Sequence, residues 1–97
     1  MDLHLEYSPE GDIRLVGSAN IHTVHELYDG LVAAFRSIRP ETPIRLDLNG
    51  VVELDTAAVQ TLIVFRRSAG QKRVTVVAQE ATVEKMNALG LASGLFS

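Results

Sequence analysis

Apolar and polar residues alternate along three short stretches of the chain, as they do in strands that bury one face. The alternation covers residues 3–7, 13–16 and 44–48. A valine-rich stretch at residues 73–78 is predicted to be a fourth strand. Between the first two stretches, residues 8–12 (Ser-Pro-Glu-Gly-Asp) have the composition of a turn. Because this connection is short, the first two strands are expected to pair antiparallel.

Two stretches on either side of the chain's centre have apolar residues at helical spacing. The first helix follows residues 17–20, takes Asn20 or Ser18 as its N-cap, and ends before Pro40 and Pro43. Its predicted apolar face comprises Val24, Leu27, Tyr28, Leu31, Phe35 and Ile38. The last helix covers residues 79–89, with Val83, Met86 and either Leu89 or Gly90 facing inward. The apolar tail at residues 90–97 is expected to dock on the domain.

The central stretch, residues 44–70, has the pattern of a strand, a turn and a helix. Asn49 and Gly50 are predicted to break the strand, because both residue types tolerate positive φ. Asp55 is a good N-cap, since its carboxylate can accept hydrogen bonds from the first turn. Thr56 then takes the first helical position, near the positive end of the helix dipole. The helix is predicted to bury Ala58, Val59, Leu62, Phe65 and Ala69, and to close at Ser68-Ala69-Gly70.

The resulting order, β-β-α-β-α-β-α, predicts one α/β domain over residues 1–97. Right-handed βαβ crossovers would make the second, third and fourth strands mutually parallel. Arg45 and Asp47 lie in the central strand, and a parallel strand covered on both faces should lack such charges. We therefore expect a mixed four-stranded sheet with helices packed mainly on one face.

The central stretch also resembles the signature of the STAS domain, which occurs in sulfate-transporter C-termini and in bacterial anti-sigma-factor antagonists. The resemblance rests on Leu46-Asp47-Leu48, on Val51, and on residues 54–59 (Leu-Asp-Thr-Ala-Ala-Val). It implies the same one-sided fold over nearly the whole chain. Ala58 departs from the family pattern, which usually has glycine there, and its methyl group would make the backbone less accommodating to a partner.

In anti-sigma-factor antagonists, a partner kinase phosphorylates the Ser or Thr that follows this Asp. The resemblance therefore implies phosphorylation of Thr56, with Asp55 orienting the hydroxyl. It implies a non-enzymatic regulator that binds a kinase-like anti-sigma factor or related regulator until Thr56 is phosphorylated. The contact surface would be the loop at residues 49–58 and the exposed stripe of the central helix. These residues are Asn49, Gly50, Glu53, Asp55, Thr56, Ala57, Ala58, Gln60, Thr61 and Val64.

A second member type of the same family stays open as an alternative. The small STAS subunit of a bacterial phospholipid-asymmetry transporter would use the same surface to bind and support an ATPase subunit, with no phosphate on Thr56. Thr rather than Ser at position 56, followed by Ala57, suits this alternative. Taken without the resemblance, Asp55 and Thr56 are a common helix cap and a small neutral residue.

Composition narrows the remaining classes of function. A net charge of −3 gives no global attraction to nucleic acid or to an anionic membrane. The absence of cysteine excludes disulfides, zinc–thiolate sites and thiol catalysis. No apolar run approaches the ~20 residues of a membrane span, and residues 1–6 lack the features of a signal peptide. We expect a cytoplasmic protein that does not insert into a membrane.

Other candidate sites have simpler explanations. His22 and His25 have i, i+3 spacing, but no third metal ligand is placed with them, so solvated helix surface is expected. The basic residues Arg66, Arg67, Lys72 and Arg73 complement a helix C-terminus; an acidic partner is the alternative. No aromatic residue interleaves them, so nucleic acid is not expected. Without a nucleophile elbow, a Walker loop or paired catalytic carboxylates, neither an enzyme nor a bound cofactor is expected, and a nucleotide-binding domain is less favoured.

Overall fold

A computed structural model describes residues 2–70 and 72–88 of the chain. The elements follow the predicted order: β1 (Leu3–Tyr7), β2 (Asp12–Ala19), α1 (Val24–Ser37), β3 (Ile44–Leu54), α2 (Thr56–Ser68), β4 (Val74–Val77) and α3 (Glu80–Ala88). The strands lie in the sheet in chain order, β1-β2-β3-β4. β1 pairs antiparallel with β2, whereas β2, β3 and β4 are mutually parallel, so the predicted strand directions are confirmed.

The two faces of the sheet differ in burial along β3. Ile44, Leu46 and Leu48 are buried, whereas Arg45 is exposed and Asp47 is half-buried. The register places Glu6, Arg14 and Asp47 in one row across β1, β2 and β3, so charged side chains face their neighbours on the open side. The prediction of a mixed sheet with helices mainly on one face is therefore confirmed.

The core lies between the sheet and the helices. α1 contributes Leu27, Leu31 and Ala34; α2 contributes Ala58, Val59, Leu62, Ile63 and Phe65; and α3 contributes Met86. The rings of Phe35 and Phe65 meet edge to face across α1 and α2, with centroids 6.2 Å apart. Tyr28 was predicted on the apolar face of α1, but its side chain is 55% exposed. Successive helical residues are rotated by about 100°, which carries Tyr28 away from the stripe through Leu27 and Leu31.

The strand break predicted at Asn49-Gly50 is wrong, because β3 continues to Leu54. Pairing with β2 maintains the extended backbone: Val16 pairs with Gly50, and Ala19 pairs with Leu54. The pairing of β2 with β3 contains two register irregularities, one before Val16 and one after Gly17. A Cβ atom at Gly50 would lie 2.9 Å from the Leu15 carbonyl oxygen, so glycine permits this close approach of the two strands.

The start of α1 also differs from the prediction. Residues 17–19 extend β2, and Gly17 adopts φ of +106° between the two register irregularities. The helix starts at Val24 with Thr23 at the N-cap position, whereas Asn20 or Ser18 had been predicted there. β4 is shorter than predicted, covering Val74–Val77. The predicted docking of Leu89, Gly90 and the tail at residues 90–97 lies outside the described residues.

Candidate functional site

The carboxylate of Asp55 connects the start of α2 to the end of β2. One oxygen, Oδ1, accepts a hydrogen bond of 3.0 Å from the Ala58 amide, which makes Asp55 the N-cap of α2 as predicted. The other oxygen, Oδ2, accepts a hydrogen bond of 2.9 Å from the Ile21 amide in the loop between β2 and α1. The Asp55 amide in turn donates to the Ala19 carbonyl oxygen at 3.1 Å. Backbone and side chain thus fix Asp55 against β2 and the loop that follows it.

A second contact joins the same two segments. The side-chain amide of Asn20 donates to Oε1 of Glu53, two residues before Asp55. The Asn20 side-chain oxygen accepts from the backbone amides of His22 at 2.8 Å and Thr23 at 3.2 Å. Asn20 therefore turns the chain between β2 and α1 and binds that turn to the end of β3. We refer to residues 20–23 as the β2–α1 loop.

Thr56 is the first residue of α2 and its side chain is exposed. Within the described residues, the Thr56 hydroxyl makes no hydrogen bond. The resemblance implied that Asp55 orients this hydroxyl, but in the free domain both Asp55 oxygens accept bonds from backbone amides. The chain therefore presents Thr56 as an accessible hydroxyl on a rigid support at a helix N-terminus.

A groove of about 420 Å³ passes beside Thr56. Its walls come from the β2–α1 loop, the end of β3, the start of α2 and α3, and include Ile21, His22, Glu53, Asp55 and Lys85. A second groove of about 260 Å³ adjoins it and shares Glu53, Leu54 and Lys85. The surface around Thr56 is thus concave and mixed in charge, with two carboxylates and one ammonium group.

The structure brings most of the predicted contact residues to one surface. Gln60 is exposed, Ala57 and Thr61 are half-buried, and Val64 is 52% exposed on the outer face of α2. Thr61 is less available than Thr56, because its hydroxyl donates to the Ala57 carbonyl oxygen at 2.9 Å. Asn49 is exposed and Gly50 is half-buried, further back along β3.

Ala58 does not belong to that surface. Its side chain is fully buried in the core, so the methyl group that replaces the family glycine points away from any partner. The methyl group therefore belongs to the core, and its effect on partner binding stays a prediction. The Ala58 amide has a local role instead, as the donor to Asp55.

Comparison with known protein families agrees with the observed fold. A family model described as "Mlab, STAS domain" matches residues 6–95, which is nearly the whole chain. The chain belongs to the STAS domain family. Proteins with STAS domains generally use them to bind other proteins. A comparison with curated protein sequences gives no significant match.

The sequence-based prediction missed several residues of the STAS domain's concave surface, among them Ile21 and Lys85. Ile21 lies in the β2–α1 loop and Lys85 lies on α3, far in sequence from Thr56, yet both line the groove beside it. No local motif marks either of them. The parallel pairing of Ala19 with Leu54 would have been the useful signal, because it brings the chain after β2 next to the start of α2.

The remaining candidates are surface features of the STAS domain. His22 lies in the β2–α1 loop before the helix on which it was predicted, and His25 is exposed on α1. Among residues 2–70 and 72–88, no cluster of His, Asp or Glu has the arrangement of a metal site.

Of the predicted basic cluster, Lys72 donates to the Arg39 carbonyl oxygen at 2.7 Å and lies over the Phe35 ring. No helix in this described part is long and apolar enough to cross a membrane.

Proposed function

We propose that this STAS domain is a non-enzymatic, cytoplasmic regulator that binds a kinase-like anti-sigma factor or a related regulator and is released by phosphorylation of Thr56. The observation that carries the proposal is the exposure of the Thr56 side chain. It is exposed at the first position of α2, whereas its neighbours Asp55 and Ala58 are held by hydrogen bonds. A kinase can reach this hydroxyl without unfolding the helix.

The free domain tolerates a phosphate at this position. A phosphate carries a charge of roughly −1.5 to −2 near neutral pH. At the first residue of α2 it lies at the positive end of the helix dipole, which stabilises an anion there. The helix would therefore remain folded after modification, and a change in binding would not require a change of fold.

The bound state tolerates the phosphate poorly. A partner that covers Thr56 must remove water from it, and a desolvated charge without a counter-charge costs several kcal/mol. The exposed carboxylate of Glu53 and that of Asp55 already make the local charge negative, and among the described lining residues they outnumber the one ammonium group, that of Lys85. Phosphorylation would therefore weaken the complex, which is the direction that a release switch requires.

The partner surface combines Thr56 with the outer face of α2. Val64 supplies exposed apolar area, and Gln60 and Thr61 lie between it and Thr56. Apolar area in the middle of a polar rim is the usual composition of a protein interface. This surface would bind the same regulator that phosphorylates Thr56.

The kinase assay that tests the proposal uses purified kinase-like anti-sigma regulators from the source genome, each incubated with this protein and ATP. Intact-mass analysis and peptide mapping then locate any phosphate. We expect one phosphate on Thr56 with at least one regulator, and none on Thr56→Ala. Thr61→Ala is the matched control, because Thr61 is nearby but its hydroxyl is already bonded to Ala57. Phosphate on Thr61 or no phosphate with any regulator would overturn the proposal.

A second candidate function is favoured by the family comparison. The matching model is described as "Mlab, STAS domain", and we take this as support for the small STAS subunit of a phospholipid-asymmetry transporter. The same α2 surface would then bind an ATPase subunit, and Thr56 would act as an uncharged contact. Thr56 followed by Ala57 suits such a contact.

Reconstitution distinguishes the second candidate. The transporter ATPase subunit from the same genome would be assayed for ATP hydrolysis with and without this protein. Stimulated hydrolysis, together with no phosphate on Thr56 in the kinase assay, would favour the transporter subunit. Val64→Asp is a useful variant in this assay, because it places a charge in the apolar part of the surface without touching the core. Unchanged hydrolysis on adding the wild-type protein would exclude this function for that ATPase.

A further inference from the structure

Ile21 is a large apolar residue held in an exposed position across the groove from Thr56. Its side chain is 64% exposed, and it lines the same groove as Thr56. A single exposed isoleucine is ordinary on a protein surface. What distinguishes Ile21 is that its loop is fixed by hydrogen bonds to the two acidic residues that precede Thr56.

The β2–α1 loop is held in place by hydrogen bonds, because each of its four backbone amides has an acceptor. Within the loop, the Asn20 side chain accepts from the amides of His22 and Thr23. The Thr23 hydroxyl donates to the Ser18 carbonyl oxygen at 2.9 Å, and the backbone amide of Asn20 donates to that hydroxyl at 3.0 Å. An apolar side chain presented on a pre-ordered loop loses little conformational entropy on binding. Ile21 is therefore well suited to contact a partner that also covers Thr56.

Asp55 couples this loop to residue 56. Its two oxygens are divided between the Ile21 amide and the Ala58 amide, so the same carboxylate holds the loop and caps the helix. A phosphate on Thr56 would lie beside this carboxylate, repel it, and compete for the amides of the first helical turn. Movement of Asp55 would leave the Ile21 amide without its acceptor, and the loop would lose one of its two contacts with the segment before α2.

We propose that Ile21 is a further contact of the partner surface and that phosphorylation of Thr56 displaces it through Asp55. The occupant is the regulator of the proposed function, on which this inference rests, and it presents an apolar patch opposite Ile21. The phosphate then acts twice: it adds charge to the interface and it moves an apolar contact out of position.

The coupling is measured without any partner. Uniformly ¹⁵N-labelled protein carrying phosphothreonine at position 56, incorporated during translation, is compared with the unmodified protein by amide hydrogen exchange. We expect exchange of the Ile21 amide to accelerate by about tenfold or more, since its bond to Asp55 is lost locally. The Leu46 amide in the sheet is the internal reference for an intact fold. Thr56→Gln is the uncharged control and should leave Ile21 exchange unchanged. Equal Ile21 exchange in the modified and unmodified proteins would overturn the coupling.

The contact is measured with the regulator that phosphorylates Thr56 in the kinase assay. Ile21→Ala removes the side chain but keeps the backbone amide that donates to Asp55, so the loop geometry is preserved. We expect Ile21→Ala to raise Kd by about tenfold or more, the effect of truncating an interface hot spot. Tyr7→Ala is the matched control, because Tyr7 is also exposed but pairs with Ile13 at the opposite end of the sheet.

The two measurements separate the possible failures. If no regulator phosphorylates Thr56, the proposed function fails, and with it the contact, whatever the exchange measurement gives. If a regulator phosphorylates Thr56 and binds Ile21→Ala as tightly as the wild type, the proposed function stands and the contact at Ile21 is excluded.

Discussion

Strand β3 has two halves with different surroundings. Residues 44–47 pair with β4 on one side, and residues 45–47 also pair with β2 on the other. Beyond residue 47, the described part of the sheet provides β3 with pairing to β2 alone. The first half alternates strictly between buried and outward-facing residues, whereas in the second half Val52 and Glu53 are both exposed. The supported half, residues 44–48, contributes three side chains to the core; in the second half, residues 49–54, only Leu54 is buried, and this half leads the chain to Thr56.

The difference indicates how a small domain can keep an accessible site on a stable sheet. Burial of Leu46 and Leu48 fixes the position of β3, since every apolar side chain removed from water adds to stability. The second half has fewer neighbours and depends on specific polar contacts, chiefly those of Glu53 and Asp55 with the β2–α1 loop. Substitutions in the two halves should therefore differ in both size and kind of effect.

The largest effect is expected in the supported half. Leu46→Ala should lower the free energy of unfolding by about 2–5 kcal/mol, because it leaves a cavity in a small, fully packed core. Urea denaturation followed by circular dichroism measures this loss. Val52→Ala, in the second half, is the matched control and should change stability by less than about 0.5 kcal/mol. Comparable losses for the two variants would contradict the distinction between the halves. Leu62→Ala on α2 should match Leu46→Ala, since Leu62 is also fully buried.

A smaller loss is expected at the junction between the halves. A Cβ atom at Gly50 would lie 2.9 Å from both the Leu15 carbonyl oxygen and Cγ2 of Val16. Gly50→Ala should therefore cost about 1–3 kcal/mol, the usual range for overpacking. Asn49→Ala, one residue earlier and exposed, is the control. A Gly50→Ala protein as stable as the wild type would show that β2 and β3 can separate at this point without loss.

The sequence predicted the supported half well and the other half poorly, for physical reasons. Ile44, Leu46 and Leu48 alternate strictly with polar residues. In a strand, this two-residue period places the three apolar side chains on the same buried face. Asn49 and Gly50 are strong turn formers in isolation, but here tertiary pairing with β2 overrides that local preference. The same override extends β2 through Gly17 to Ala19 and moves the start of α1 to Val24.

The candidate site was predictable only in its local part. The cap formed by Asp55 and the position of Thr56 follow from neighbouring residues, and both are confirmed. The contacts of Asp55 with Ile21 and of Glu53 with Asn20 join residues more than thirty positions apart. Nothing in the local pattern at Ile21 indicates them, because they depend on the register between β2 and β3.

Asp55 should show a moderate effect, because it makes polar contacts and buries little apolar area. Asp55→Ala should lower the free energy of unfolding by about 1–2 kcal/mol, from loss of the helix cap and of the acceptor for Ile21. Asp55→Asn keeps one acceptor oxygen and should lose less. Urea denaturation of the three proteins gives this order. If Asp55→Ala unfolds at the wild-type urea concentration, the two hydrogen bonds contribute no net stability in solution.

The smallest effect on stability, and the largest on binding, is expected at Thr56. Thr56→Glu should change the free energy of unfolding by less than about 0.5 kcal/mol, because the residue is exposed and a negative charge at a helix N-terminus is tolerated. The same variant should bind the regulator much more weakly, since the charge would be buried against the partner. Thr56→Ala removes the hydroxyl and adds no charge, so it should still bind. Thermal denaturation and titration calorimetry on the three proteins measure both quantities. A Thr56→Glu protein that unfolds more easily than Asp55→Ala would show that residue 56 belongs to the stable framework and is unsuited to a switch.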